Sequence, residues 1–172
     1  MGKSKIIVFS FVKIGYICLK CNMSMDRTNV EVRRVAFDRK RYLDLLLDAD
    51  PSEEMIDRYI EEGDMFVLLL REMVVGEVVV DRKGEIKNLA VYSEYRCQGY
   101  GGYLLDYLSE YYRNRFEWLW VGTSESGVGY YERNGFEYDH TIKNFFVDNY
   151  SEPIWEDGKQ CVDMYYLRKR LF

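Results

Sequence analysis

The stretch Asn88-Leu-Ala-Val-Tyr-Ser-Glu-Tyr-Arg-Cys-Gln-Gly-Tyr-Gly-Gly-Tyr103 holds residue types that can bind a polyanion. Gly99, Gly101 and Gly102 let the main chain approach a ligand closely and adopt positive φ. Where such a turn opens a helix, the first N–H groups have no intrahelical acceptor and the dipole adds positive potential, which suits a pyrophosphate. Arg96 adds a positive charge at the mouth. The same Arg-x-x-Gly-x-Gly pattern is also compatible with a plain strand-to-helix turn. No Gly-Lys-Ser/Thr closes it as in a P-loop, and no third Gly stands at the G-x-G-x-x-G spacing from Gly99.

The elements around this loop must supply a strand before it and a helix after it. Ile86, Leu89 and Val91 are the apolar residues of a strand over 85–92, and Leu104, Leu105, Leu108 and Tyr111 or Tyr112 make one face of a helix. Upstream, Val30, Val32 and Val35 suggest a first strand, and Asp38 is a good cap for a helix carrying Tyr42, Leu45 and Leu46. A second helix is expected from Pro51, with Met55, Ile56, Tyr59 and Ile60 inward and Gly63 at its end. Met65 to Leu70 and Val74 to Val80 read as a hairpin turning at Arg71-Glu72, and Asp81 to Gly84 as the next turn. Downstream come a strand over 118–122, a short helix at Tyr130 to Arg133, and final strands over 136–147 and 162–168. Trp118 and Trp120 are expected in the core.

Leu89-Ala90-Val91, Arg96-Cys97-Gln98-Gly99-Tyr100-Gly101 and Tyr130-Tyr131-Glu132-Arg133-Asn134-Gly135-Phe136, in this order, resemble the acetyl-CoA core of GNAT acetyltransferases. The similarity covers roughly residues 64 to 140. It implies an α+β, three-layer fold in which a central mixed, mostly antiparallel sheet of six to seven strands is flanked by helices. The fourth and fifth strands splay apart to admit the pantetheine arm. Acetyl-CoA, as co-substrate, is then expected to lie against Leu89, Ala90 and Val91, on the loop Arg96, Cys97, Gln98, Gly99, Tyr100, Gly101 and Gly102, and beside Ser124 and Tyr131. The segment from Ile142 to Gly158 is similar to a bacterial subgroup that fixes no substrate.

Acetyl transfer to an amine needs a neutral nitrogen, a polarised thioester carbonyl and a proton for the departing thiolate. The resemblance implies a main-chain N–H near Ala90 or Val91 for the oxyanion. It also places Tyr131 as general acid opposite the sulfur, whereas Tyr130 is out of register. Glu85 is the candidate base, with Glu125 and Asp148 as competitors. The family commonly has an asparagine where this chain reads Thr123-Ser124-Glu125-Ser126; Ser124 or Ser126 could still donate a hydrogen bond there. His140, the single histidine, lacks a nucleophile elbow to serve and reads as structural.

With 24 basic and 29 acidic residues in 172, the formal charge of −5 argues against a nucleic-acid footprint. The expected acceptor is a primary amine on a small molecule or peptide, with cations favoured by steering. A protein acetyltransferase or a non-catalytic acyl-CoA-binding module is the alternative. Residues 23–172 read as one domain, and residues 1–22 as an extension whose apolar run, interrupted by Lys13, is too short to span a bilayer. A cytoplasmic location without a membrane partner is expected, and a homodimer is an allowed assembly. Cys18 and Cys21 have half the spacing of a zinc site but no second ligand pair, so no metal is expected.

Overall fold

The computed structural model describes residues 29–172. The expected extension over 1–22, including Cys18 and Cys21, lies outside the described residues. Seven strands form one sheet in the order β1-β2-β3-β4-β5-β9-β6: β1 (Val30–Val35), β2 (Asp64–Leu70), β3 (Met73–Val80), β4 (Glu85–Val91), β5 (Trp118–Thr123), β6 (Glu137–Ile142) and β9 (Met164–Arg170). Every pairing is antiparallel except β4 with β5. A two-stranded ribbon of β7 (Trp155–Glu156) and β8 (Lys159–Gln160) stands apart from it.

Strand alternation divides the core into two layers. Phe66, Leu68, Val78 and Val80 face α3 (Tyr100–Tyr112) and α4 (Glu125–Arg133), meeting Leu104, Leu105, Leu108 and Tyr131. Met65, Val67, Leu69 and Val79 face the other way, onto Leu46 of α1 (Leu43–Ala49) and Ile56 of α2 (Glu53–Asp57) with Tyr59 and Ile60 beyond it. Each fully buried aliphatic side chain in these layers contributes about 1.5–3 kcal/mol. A third cluster joins Phe145 and Phe146 of α5 (Phe145–Asn149) to Trp120, Met164 and Tyr166.

The mixed α/β architecture and the hairpin at Arg71-Glu72 agree with expectation; α5 and the β7–β8 ribbon stand between the two final strands, and several details differ. Asp38 takes a left-handed conformation before a 3-10 turn over Arg39–Tyr42 and makes no capping bond, so α1 starts only at Leu43. Helix α2 is capped by Ser52 and ends at Asp57. Gly63 serves packing, because a Cβ there would overlap Val80 O. The strand expected over 136–147 stops at Ile142: Asn144 turns left-handed, its N–H bonds Asp163 Oδ1 at 2.9 Å, and the two phenylalanines gain more by burial on a helix than on an edge strand. Trp118 and Trp120 are only partly buried; the Arg168 guanidinium lies 4.4 Å over the Trp118 ring, and Leu119 and Val121 fill the core instead.

Candidate active site

The sheet opens where the chemistry is expected. Among the described residues, strands β4 and β5 pair only at Glu85 with Trp120 and Ile86 with Val121, so the two strands part beyond Ile86. On the other side, Tyr92 N–H donates to Val75 O at 2.9 Å. Antiparallel bonding alternates, so Ala90 N–H also turns toward β3 while the N–H groups of Leu89 and Val91 face the gap. Within the Ala90-Val91 stretch, Val91 is therefore the residue whose amide can reach a group lying in the gap.

At the end of β4 the chain passes through a second 3-10 turn, Ser93–Tyr95, and reaches Gly99 at φ 93. Cys97, exposed, also has positive φ, which tightens the loop before α3. Among the described residues no main-chain acceptor takes the N–H groups of Gln98, Gly99, Tyr100, Gly101 or Gly102. Tyr103 N–H is taken by Gly99 O at 2.9 Å, which closes the row of unclaimed donors at Gly102. Arg96 Nε donates to Val91 O at 2.8 Å and its guanidinium pairs with Asp48, tying the loop to α1.

Tyr131 lies on α4 with its ring edge-on to Tyr130 and Phe136, fully buried, and among the described residues its hydroxyl has no hydrogen-bond partner. Burial holds that hydroxyl well above the ordinary tyrosine pKa, so it stays protonated. Thr123, at the end of β5, presents a second buried hydroxyl without a partner. The Ser124 and Ser126 hydroxyls both bond Glu156 on β7 and lie 2.8 Å from each other. These serines and Glu156, with Glu125, Asp157 and Asp163, line a cavity of about 480 Å³ beside the start of α4.

On the opposite face Glu85 meets groups that the sequence reading did not single out. Its Oε1 accepts from Lys87 Nζ at 2.9 Å and from Tyr166 Oη at 2.7 Å. Burial raises its pKa, while Lys87 and Tyr166 pull in the other direction. Asp50, fully buried, accepts from Ser52 N–H at 3.1 Å and from Tyr150 Oη at 3.3 Å, and burial raises its pKa to about 6. Asn88 donates to Leu46 O and to Tyr59 Oη. A bulge explains the crowding: Val79 pairs with Asn88 and Val80 with Ile86, so Lys87 is the extra residue and both Lys87 and Asn88 turn toward α1 and α2. His140 is half exposed, 2.7 Å from Asp139 and stacked on Tyr166. The competing carboxylates Glu125 and Asp148 are exposed.

A model of the acetyltransferase (GNAT) domain matches residues 61–138, the span from β2 through the Tyr131 helix. The chain is 30% identical over 150 residues to the uncharacterised N-acetyltransferase YvbK of Bacillus subtilis (strain 168), covering 83% of this chain and 96% of that one. The chain belongs to the GNAT acetyltransferase family. A GNAT acetyltransferase from Elizabethkingia anophelis, crystallised with acetyl-CoA bound, is similar at 36% identity and a TM-score of 0.78, over 84% of this chain and 99% of that one. An IAA acetyltransferase from Bacillus cereus ATCC 14579 is similar at 32% identity and a TM-score of 0.74, over 82% and 99% of the two chains. Membership in this family makes the chain an acyltransferase of mixed α/β fold. Among the described residues no helix is long and apolar enough to cross a membrane.

Proposed function

We propose that this GNAT enzyme moves the acetyl group of acetyl-CoA to a primary amine of a small molecule or peptide by direct attack. The observation that carries the reading is the row of unclaimed N–H groups from Gln98 to Gly102 at the head of α3, beside a sheet opened between β4 and β5. Those donors suit the pyrophosphate, and acetyl-CoA supplies the activated acyl carbon as a thioester. Glu85 takes the amine proton, through water where the acceptor stands off. Val91 N–H steadies the oxyanion as the nitrogen bonds to the carbonyl carbon. Tyr131 gives its proton to the sulfur as the carbon–sulfur bond breaks, and its raised pKa keeps that proton available.

The acidic balance of the chain favours a cationic acceptor, and a cytoplasmic setting is part of the same reading. The test is thiol release from acetyl-CoA by the purified protein across a panel of amines, run beside calorimetric titration with CoA. Saturable binding and amine-dependent thiol release are expected. Absence of CoA binding to the folded protein overturns the reading at its base.

A further inference from the structure

A carboxylate in a mostly apolar cleft is a poor base unless something holds it ionised and aimed. Glu85 and Lys87 are two apart on β4 and so lie on one face, and Tyr166 reaches the same carboxylate from β9. Both donors bond one oxygen, Oε1. Among the described residues Oε2 has no hydrogen-bond partner, and the side chain retains 14% of its exposure, whereas Lys87 retains 1%. An ammonium and a hydroxyl converging on Oε1 hold the carboxylate and leave the second oxygen unengaged among the described residues.

We propose that Lys87 and Tyr166 are positioning residues for the acetyl transfer, a clamp on Oε1 that keeps Glu85 ionised and presents Oε2 to the acceptor's proton. The inference rests on the reading of Glu85 as base. Other groups around the clamp are accounted for. Asp81, in the turn before β4, opposes ionisation of Glu85. Asp50, between α1 and α2, also feels the Lys87 charge. His140, on β6, stacks on the Tyr166 ring at 4.8 Å with an interplanar angle of 9°, and Asp139 holds that imidazole. That stacking covers one face of the Tyr166 ring.

The clamp makes a signed prediction. Each donor favours the charged carboxylate, so removing either raises the Glu85 pKa further. The direct readout is ¹³C NMR titration of the Glu85 side-chain carboxyl in the full chain, which needs no acceptor. Tyr166→Phe is expected to move that titration to higher pH, and Lys87→Met to move it in the same direction. Lys87→Arg should restore part of the shift. With an active amine in hand, the acid limb of kcat/KM should move to higher pH in Tyr166→Phe while the high-pH plateau is retained, a pattern that a merely structural role does not produce. A folded Tyr166→Phe protein whose Glu85 titrates as in the parent overturns the clamp, and this variant serves even if Lys87→Met does not fold. The base reading is judged separately by Glu85→Gln, expected to lower kcat/KM by about 10²–10⁴-fold. An unchanged rate there removes the catalytic meaning of the clamp even if the NMR shifts are seen.

Discussion

The hydroxyl of Tyr130 stands against the α-carbon of Gly101, at the point where any side chain would begin. A Cβ at Gly101 would overlap Tyr130 Oη, yet Tyr130 Cζ would be 3.5 Å away, an ordinary contact. The clash belongs to one oxygen atom. Gly101→Ala must therefore push Tyr130 aside and disturb the loop that carries the unclaimed N–H groups. We expect Gly101→Ala to weaken CoA binding by roughly tenfold, about 1.4 kcal/mol. Combined with Tyr130→Phe, the same substitution should bind CoA nearly as the parent does. Calorimetry on the four proteins of this double-mutant cycle checks both statements.

The Tyr131 hydroxyl is fully shielded and, among the described residues, has no hydrogen-bond partner. Ordinarily a buried hydroxyl is worth keeping only if it finds a partner, and an unmet one costs about 1–3 kcal/mol. Tyr131→Phe is thus expected to leave the melting temperature unchanged or raise it, while thiol release falls by about 10²-fold or more. Thermal unfolding and a thiol assay on the same preparation separate the two. Equal loss of both would make the tyrosine a packing residue.

What the sequence made legible follows from the range of the interactions. Local signals are reliable: the glycine-rich loop after β4, the two left-handed residues of the Arg71-Glu72 hairpin and the apolar face of α3 depend on neighbours within a few residues. Tyr131 was singled out by a motif in register and Glu85 by its place at the start of the fourth strand. Lys87, Tyr166, Asp50 and Tyr150 were not: Tyr166, Asp50 and Tyr150 meet partners far along the chain, and Lys87, only two residues from Glu85, sits at a bulge. Tyr166 meets Glu85 across 81 residues and Tyr150 meets Asp50 across 100. The fate of Ser124 and Ser126 depended on Glu156, some thirty residues on, in a ribbon of two-residue strands too short to leave a periodic signal. The bulge at Lys87 likewise has no mark in composition, because only its pairing with β3 reveals the extra residue.

Arg96, expected at the mouth of the CoA loop, also makes scaffold contacts. Its bonds to Val91 O and Asp48 join the end of β4, the loop and α1. The Arg96 side chain is a quarter exposed and that of Asp48 about a third, so the pair is only partly screened by solvent. Arg96→Gln should lose the ion pair but can keep one bond to Val91 O. We expect a fall in stability of about 1 kcal/mol or less, by urea denaturation, with a smaller change in CoA affinity than Gly101→Ala produces. A larger loss of CoA affinity than of stability would return Arg96 to the ligand.

Asp50 ties stability to pH with a sign opposite to most acidic residues. Its carboxyl is fully buried among Ser52, Tyr59 and Tyr150, and burial raises its pKa from 3.8 to about 6. Because the native state then binds more protons than the unfolded chain between these values, stability is fully present below about pH 4 and lost as pH rises through 6. At roughly 1.4 kcal/mol per pH unit, the Asp50 contribution falls by about 3 kcal/mol over that window. Glu85 is shifted in the same direction by burial, so the parent protein loses stability with rising pH for more than one reason. The difference between parent and Asp50→Asn isolates Asp50, since the amide keeps an acceptor for Tyr150 and Ser52 but does not ionise. Urea denaturation at pH 4.5 and pH 7 should show the variant gaining on the parent as pH rises. Parallel curves for the two proteins would mean that Asp50 is neutralised by Lys87 in the folded state and titrates as it does in the unfolded chain.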